Sequence, residues 1–202
     1  MSISYPLTFP TTRSPASVMF RAISTTSIAE STFSGAQVAH SYNRQLWAID
    51  VVLPPMNRSD AEVWIAFLLS LSGRYGTFTY GPTGKTGQLL GNAAYGGLIN
   101  GASQTGQTVT TDGWASNTAD LLKAGDYIEF SSRLYKVLSN VDSDASGNAS
   151  IDVWPSIREV SDNEDIIISS PSTTFRLTSD QIEYSIDLAM KYGIKFSATE
   201  AL

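Results

Sequence analysis

The chain has 202 residues, with 13 basic and 19 acidic side chains, a formal charge of −6 and no cysteine. The absence of cysteine excludes disulfides, zinc fingers, iron–sulfur sites and a cysteine nucleophile, and a single histidine, His40, excludes a histidine-rich metal site. An acidic chain lacks the basic surface of a nucleic-acid-binding protein. Its longest apolar run, residues 63–69, is far shorter than the ~20 residues of a membrane span, so we expect no nucleic-acid partner and no membrane span.

Most of the chain alternates with a period of two residues, which is typical of β-strands because successive strand side chains face opposite ways. The first clear strand runs from residue 45 to residue 53 and ends at two prolines. Four apolar residues share one of its faces: Trp47, Ile49, Val51 and Leu53.

One segment has helical periodicity instead. Ser59 and Glu62 have the spacing of a capping box, in which each side chain bonds a backbone N–H group at the start of a helix. Gly73 is suited to end the helix in the left-handed conformation. The apolar residues between these ends recur at helical spacing and predict a helix that packs on a sheet: Ala61, Trp64, Ile65, Leu68 and Leu71.

The middle of the chain is rich in glycine and small polar residues. Residues 81–117 contain nine glycines and predict loops and short strands. Strong β patterns return further on, and we predict strands at residues 126–131, 134–141, 149–154 and 166–168, the first two forming a hairpin turned by Ser132-Arg133.

The C-terminal part alternates apolar and polar residues from residue 182 to residue 196. As a single strand it would be ~50 Å long at ~3.3 Å per residue, which exceeds the usual strand length. We therefore expect a bend or bulge in this strand, at Gly193.

Turn-rich boundaries near Pro82 and Pro171 divide the chain. We predict a mainly β fold with one α-helix. In it, residues 1–83 and 172–202 form a β-sandwich-like domain, and residues 84–171 form an inserted small β-barrel or sandwich.

Two segments have part of a binding-loop pattern. Gly84-Lys85-Thr86 matches the end of a phosphate-binding loop, but Thr79 stands where its first glycine belongs and no helix start follows, so we expect a loop with an exposed lysine. Residues 142–147 have the first oxygens of a calcium loop, but Val153 occupies the position of its glutamate. A hairpin turn uses the same residue types, so we expect a turn, with a weak cation site as the alternative.

The other candidate residues are aromatic or acidic. Residues 162–165 form an acidic cluster typical of a solvated loop, and His40 is expected at the surface or a sheet edge. No catalytic motif is present, and we expect no cofactor or metal site. Four aromatic residues are either core or a sugar-binding surface, with the two tryptophans as the main ligand candidates: Trp114, Trp154, Tyr95 and Tyr127.

Three stretches carry a resemblance to a known family. The first, residues 47–80, contains Trp64-Ile65-Ala66-Phe67-Leu68 and Gly73-Arg74-Tyr75-Gly76-Thr77-Phe78. The second, residues 121–158, contains Ala124-Gly125-Asp126-Tyr127-Ile128 and Val153-Trp154-Pro155. The third, residues 175–202, ends in Phe196-Ser197-Ala198-Thr199-Glu200-Ala201-Leu202. Together they resemble the distal tail proteins of long-tailed bacteriophages of the siphovirus type.

The resemblance implies a structural virion protein with a β-rich, ring-forming belt domain. Such rings, commonly hexameric, join the tail tube to the host-recognition tip. The implied partners are further copies of the chain, a tail tube protein and tail hub or fibre proteins. The inserted β domain of such proteins sometimes binds a cell-surface glycan. The implied place is the tail tip of a virion, after synthesis in the bacterial cytoplasm, and because the family brings no catalytic residues we expect no enzyme activity.

Three alternatives stay open. A carbohydrate-binding module would use Trp114 and Trp154 as stacking platforms. A polysaccharide or peptidoglycan hydrolase would need two convergent carboxylates. Another tail subunit, such as a tube, terminator or baseplate protein, would keep the virion context, although the inserted region at residues 84–171 argues against a plain tube subunit.

Overall fold

A computed structural model describes residues 3–82 and 89–202, with backbone alone at residue 43. It divides into two compact units. The terminal unit comprises Met1–Thr79 and Thr174–Leu202, and the central unit comprises Tyr80–Thr173. About 44% of the described residues are in strands or single β-bridges, and one α-helix lies among them. The predicted mainly β fold with one helix is confirmed.

The elements follow one another along the chain with bounds that we use throughout. They are β1 (Leu7–Thr8), β2 (Ser17–Glu30), β3 (Gln37–Val52), α1 (Arg58–Ser70), β4 (Thr77–Tyr80), β5 (Leu98–Ile99), β6 (Gly106–Asp112), β7 (Tyr127–Phe130), β8 (Arg133–Val137), β9 (Ala149–Ile157), β10 (Thr173–Leu177), β11 (Tyr184–Ile186) and β12 (Tyr192–Glu200).

The strands of the terminal unit form one sheet in the order β1, β4, β10, β12, β3, β2, with β11 paired to β12 beside this path. Phe196 lies opposite Val51 and Ala198 opposite Ile49, so these four side chains share a face. The predicted apolar face of β3 is buried. β3 begins at Gln37, earlier than predicted, because its first residues pair with β2 while exposed on both faces and so show no hydrophobic alternation.

The helix begins at Arg58, and the predicted capping box is wrong. Asn57 is the N-cap residue, and its side chain makes no capping bond. Ser59 lies inside the first turn, and Glu62 accepts a hydrogen bond from the Arg58 side chain instead of reaching back to the backbone. Gly73 adopts the predicted left-handed conformation, with a φ of 67°, but the helix ends before it: Leu71 is the C-cap residue, and Ser72, with a φ of 51°, is the first left-handed residue.

The helix covers the sheet with an aromatic cluster. Trp64 is fully buried and packs edge-on against Phe9 at 5.0 Å between ring centres and against Phe67 at 6.1 Å. Phe196, from the sheet, lies 6.4 Å from Trp64. Each favourable ring pair adds about 0.5–1.5 kcal/mol beyond its buried area, so this cluster stabilises the packing of the helix on the sheet.

The C-terminal alternation forms a hairpin, not one long strand. β11 and β12 pair antiparallel, with Ser185 opposite Gly193. The turn lies at residues 187–191, where the Asp187 carboxylate accepts the Lys191 backbone N–H at 2.7 Å and Met190 has a φ of 58°. The predicted bend at Gly193 is therefore wrong, because the turn is made by an aspartate and a left-handed methionine within the same alternating pattern.

The central unit is a small barrel. Its five strands pair in the order β5, β6, β9, β8, β7. Asp165 forms a bridge to Leu98 of β5, and Ile167 forms one to Glu129 of β7, so this segment joins the two edges of the sheet. The predicted strand at residues 166–168 appears as these single bridges. Apolar side chains fill the interior, and the Phe130 and Tyr135 rings stack there at 4.0 Å.

Several predicted strand ends in the central unit differ from the structure. β8 ends at Val137 and not at residue 141. The β7–β8 turn is Ser131-Ser132, both with positive φ, as a two-residue hairpin turn requires. β9 continues past Pro155 to Ile157. Pro155 lies opposite the irregularity between Gly106 and Thr108, where the interrupted ladder needs no N–H from a proline.

Candidate functional site

The strongest candidate surface is the far half of the β2–β3 hairpin. β2 and β3 pair from Ser17 opposite Val52 to Glu30 opposite Gln37, with one irregularity between Ser24 and Thr26. Up to that irregularity the hairpin belongs to the sheet. Beyond it, residues 26–41 form a two-stranded ribbon that we call the arm, and every one of them is exposed.

The arm displays apolar side chains on both faces. Paired residues point to the same side, which puts Ile28 with Ala39 on one face and Val38 with Ala29 on the other. Ile28 is 65% exposed and Val38 is 69% exposed. Phe33 is fully exposed at the tip. Large apolar side chains on both faces of a ribbon are unusual for a surface that stays in water.

The arm carries almost no charge. Between Arg21 and Arg44 the one acidic or basic residue, apart from His40, is Glu30. Its carboxylate accepts a hydrogen bond from the Gln37 side chain at 3.1 Å. The other side chains are mostly small and uncharged, so a partner could cover them without desolvating ions, which is the expensive step in burying a protein surface.

The turn of the arm is well formed. Ser31 donates its backbone N–H to the Ala36 carbonyl at 2.9 Å, and Gly35 donates to the Ser31 carbonyl at 2.9 Å. Gly35 has a φ of 65°, which a glycine adopts without strain. The tip therefore presents Phe33 on a defined turn.

The same unit carries a second apolar projection, the turn between β11 and β12. Leu188 is fully exposed there, and Met190, Ile186 and Tyr184 are exposed by half or more. β2 is also the last strand of the sheet order, and its sequence has no proline or lysine, the residues that commonly protect an edge. Exposed apolar groups and a long sheet edge thus occur together.

The predicted ligand surface of the central unit is only partly assembled. Trp114 is 4% exposed, and its indole N–H donates to Thr111 Oγ1 at 2.7 Å inside the barrel core, which leaves no ring face for a sugar. Trp154 lies half-buried on the outer face, opposite Lys136 of β8. Lys136 lies opposite Tyr127, with Nζ 4.4 Å from the tyrosine ring centre.

Tyr95 lies in the loop before β5, outside this row, and is exposed. The structure therefore brings Tyr127 and Trp154 into one row and leaves Trp114 and Tyr95 elsewhere.

The calcium-like segment has the geometry of a turn. The Asp144 carboxylate accepts the Asn148 backbone N–H at 2.8 Å and the Asn148 side-chain amide at 2.8 Å. These bonds, with a further one from Ser146, lower the pKa of Asp144. In the described ranges, no three His, Cys, Asp or Glu side chains are grouped to hold a metal ion. The segment Gly84-Lys85-Thr86 lies outside the described residues.

The acidic residues at 162–165 accept hydrogen bonds from neighbouring loops. Asp162 accepts the Gly101 backbone N–H at 2.7 Å, and Glu164 accepts the Ser131 hydroxyl at 2.7 Å. His40 is exposed on the arm, and its ring lies 5.2 Å from that of Tyr42. Within residues 3–82 and 89–202, no helix is long and apolar enough to cross a membrane.

Sequence reasoning missed the arm. Its strands are made of serine, threonine and alanine with few large apolar residues, so they lack the alternation that predicts a half-buried strand. The feature that could have found it is the stretch of residues 22–43 with one acidic residue and a central Gly35. No family model matches the chain, and no curated protein matches it in sequence.

Proposed function

We propose that the protein is a structural subunit that assembles with further copies of itself into a ring at the distal end of a phage tail. There the ring links the tail tube to the host-recognition tip. The place in a phage tail rests on the resemblance of residues 47–80, 121–158 and 175–202 to distal tail proteins. Self-assembly rests on one observation, the exposed arm.

The arm is costly to hold in isolation. Fixing each backbone residue costs about 1–2 kcal/mol of conformational entropy, and residues 26–41 recover little of it by burial because all are exposed. Two-stranded hairpins without a packed face are at best marginally stable in water. Burial of the arm against another copy supplies the stabilising free energy that the isolated arm lacks.

The charge distribution favours the terminal unit as the associating part. This unit contains eight basic and eight acidic residues, so its formal charge is zero, whereas the central unit carries the whole −6. Interface cores are depleted in charged residues, and a strongly charged surface keeps proteins apart. The terminal unit therefore meets its copies while the central unit stays solvated.

A closed ring of identical copies is built from head-to-tail contacts, in which one patch of each copy binds a different patch of the next copy. Each copy therefore needs two different patches. The terminal unit offers an arm with a long edge strand at β2 and an apolar turn between β11 and β12. Pairing between copies would also cover the edge of β2, which is otherwise a site for uncontrolled association.

Light scattering on the full chain, followed by negative-stain imaging, tests the proposal. We expect a mass that is a multiple of the 21.8 kDa chain and particles with a central opening. The matched variant replaces residues 27–40 with Asn-Gly, so that Thr26 and Ser41, which already pair, close a two-residue turn. This variant is expected to be a folded monomer. A full chain that stays monomeric at high concentration, or a shortened variant that still forms rings, contradicts the proposal.

The row of Tyr127, Lys136 and Trp154 supports a second candidate function, carbohydrate binding by the central unit. Half-buried aromatic rings on an outer barrel face are suited to stacking against sugar rings. Glycan-array binding that disappears in Trp154→Ala and persists in Leu138→Ala, an exposed control in the same unit, is the expected result. Binding that is absent in the native chain, or unchanged in Trp154→Ala, contradicts it.

A further inference from the structure

The sheet of the terminal unit has two open edges besides the two-residue β1. Among the described residues, β2 pairs with β3 alone and β11 pairs with β12 alone. β1 lies between Pro6 and Pro10, which have no N–H to donate, whereas β2 and β11 contain no proline. An open edge presents backbone N–H and C=O groups that a further strand can satisfy.

The backbone groups of β11 face outwards at two residues. Tyr192 exchanges backbone hydrogen bonds of 2.9 and 3.2 Å with Met56, so its own groups point away from β11. Ile186 lies opposite Tyr192. Because paired residues in an antiparallel ladder direct their groups alternately towards and away from each other, Ile186 and Tyr184 present theirs to the open side.

The same alternation identifies the open side of β2. Leu53 donates its backbone N–H to the Ile194 carbonyl at 3.0 Å, so Leu53 and, two residues earlier, Val51 direct their groups towards β12. Val18 lies opposite Val51 on the other side, and its backbone groups therefore face the open side of β2. Ala22, four residues further on, is oriented in the same way.

The two edges match in direction and in face. β11 is antiparallel to β12, whereas β2 is parallel to β12 because both are antiparallel to β3. Copies side by side in one orientation therefore place β11 antiparallel to β2. Val18 lies on the helix-covered face, since it is opposite Val51, which is opposite Phe196. Tyr184 shares this face, since it is opposite Ile194, two residues from Phe196.

Charge selects one register between these edges. Glu183, directly before β11, is exposed and has no hydrogen bond or ion pair within residues 3–82 and 89–202. Arg21 of β2 binds Asp50 through Nη2 at 2.8 Å, and a guanidinium has further N–H donors. Placing Glu183 opposite Arg21 pairs opposite charges. It also places Ile186 opposite Val18, so that the outward-facing backbone groups of the two edges meet.

Resting on the ring proposed above, we propose that β11 of each copy pairs antiparallel with the start of β2 of the next copy, with Glu183 opposite Arg21. The terminal sheets then join from copy to copy, and β2 and β11 are the two unlike patches of the head-to-tail contact. Tyr184 lies beside Phe20 on the helix-covered face. Further along β2, the arm continues onto the body of the next copy.

The absence of cysteine from the native chain allows a test by covalent trapping. In this register Met19 lies opposite Ser185, and both are exposed. Directly opposite Cα atoms are ~4.5–5.5 Å apart, within the range that a disulfide spans. Diamide is expected to convert the double variant Met19→Cys/Ser185→Cys into a ladder of covalent oligomers. Either single variant gives no ladder, and a mixture of the two gives dimers only.

A second pair of positions tests the register. Ile23 is on the same face of β2 as Met19 and lies four residues further on, about 13 Å away at ~3.3 Å per residue. This distance exceeds the reach of a disulfide, so Ile23→Cys/Ser185→Cys should give no ladder. A ladder from this variant in place of the first would show Arg21 opposite Asp187 and would overturn the stated pairing.

The ion pair has its own matched variants. Glu183→Lys in the Met19→Cys/Ser185→Cys background should slow trapping severalfold, because like charges directly opposite on neighbouring strands repel. Glu62→Lys makes the same charge change at an exposed helix position outside both edges and should leave the rate nearly unchanged. A Glu183→Lys chain that is trapped as fast as its parent would contradict the pairing of Glu183 with Arg21.

The remaining outcomes separate the two proposals. Rings that form by light scattering while neither double variant gives a ladder overturn the edge pairing and leave the ring. Covalent dimers from Met19→Cys alone show contact between two β2 edges and likewise overturn the edge pairing. Monomers by scattering without any cross-linking overturn both.

Discussion

The two units of the chain have similar sizes and opposite surfaces. The terminal unit, with 108 residues, has no net formal charge and carries 16 of the 20 large apolar side chains that are exposed in the described residues. The central unit, with 94 residues, carries all six net negative charges and only four of those side chains.

This contrast distinguishes the apolar residues that a unit needs in order to fold from those that are left over for association. The central unit closes its sheet through residues 165–167 and places most of its large apolar side chains inside, so few of them are left exposed. The terminal unit has a complete core around Trp64 and still leaves the arm and the β11–β12 turn in water. Apolar groups that remain outside a finished core indicate a partner, and the four predictions below test this contrast.

The largest expected effect is on the terminal core. Trp64→Ala removes a fully buried indole and should lower the free energy of unfolding of the terminal unit by about 3–5 kcal/mol, while the central unit keeps its own transition. Scanning calorimetry on the full chain measures both. Trp64→Phe is the control, because within the described part of the chain the indole N–H has no hydrogen-bond partner and phenylalanine keeps an aromatic ring without that donor. Equal losses for the two variants would contradict this account.

The next effect concerns association without a change of fold. Ile28→Asp, on the arm at 65% exposure, should weaken self-association by at least about tenfold, which is ~1.4 kcal/mol. Leu90→Asp, at 62% exposure in the central unit, is the matched control: it adds the same negative charge outside the arm and should weaken association much less. Both variants should unfold within about 0.5 kcal/mol of the native chain, as exposed substitutions usually do. Sedimentation velocity across a concentration series decides, and an Ile28→Asp chain that associates normally would remove the arm from the interface.

The elements that could be predicted from the sequence are those that are buried, and the ones that were missed are exposed. The helix face around Trp64 and the barrel strands were predictable, because burial on one side imposes a period of 3.6 or 2 residues. The arm was not, because a strand exposed on both faces has no such constraint. The turn at residues 187–191 was hidden for a related reason, since Leu188 and Met190 continue the apolar alternation across it.

Predictions that rested on the chemistry of single residues were wrong at two places. Ser59 and Glu62 have capping-box spacing, which would start the helix at Asp60, but the helix starts two residues earlier, at Arg58. Tryptophan is a common residue for stacking against sugars, but the Trp114 indole N–H donates to the buried Thr111 hydroxyl. This contact depends on the fold around residue 114 and cannot be predicted from the residue type. The proposed association surface lies instead in residues 26–41, which are unusual in their low content of charged residues and not in their hydrophobic pattern.

A smaller effect should come from the charge of the central unit. Each copy brings −6 to an assembly, so neighbouring copies repel, and salt screens this repulsion over about 10 Å at 0.1 M. Raising the salt concentration should therefore strengthen association severalfold. Glu159→Lys should reduce this salt dependence and Arg158→Glu, its exposed neighbour, should increase it, as measured by sedimentation at two salt concentrations. Association that weakens with salt in all three chains would show that ion pairs hold the interface.

The smallest effect is a pH dependence specific to each unit. The Arg74 side chain hydrogen-bonds Asp180, and with the Arg74 backbone N–H it lowers the pKa of Asp180. A folded-state pKa below the unfolded value, ~3.9, gives stability that is present above that value and is lost as the pH falls through the folded pKa. Asp180→Asn should therefore flatten the pH dependence of the terminal unit's melting temperature below about pH 4. Asp144→Asn should do the same for the central unit, where hydrogen bonds from Asn148 lower the pKa. Both carboxylates are at the surface, so the shifts should be small and should shrink in high salt. If Asp180→Asn changes the transition of the central unit instead, the two units do not unfold separately and the contrast between them fails.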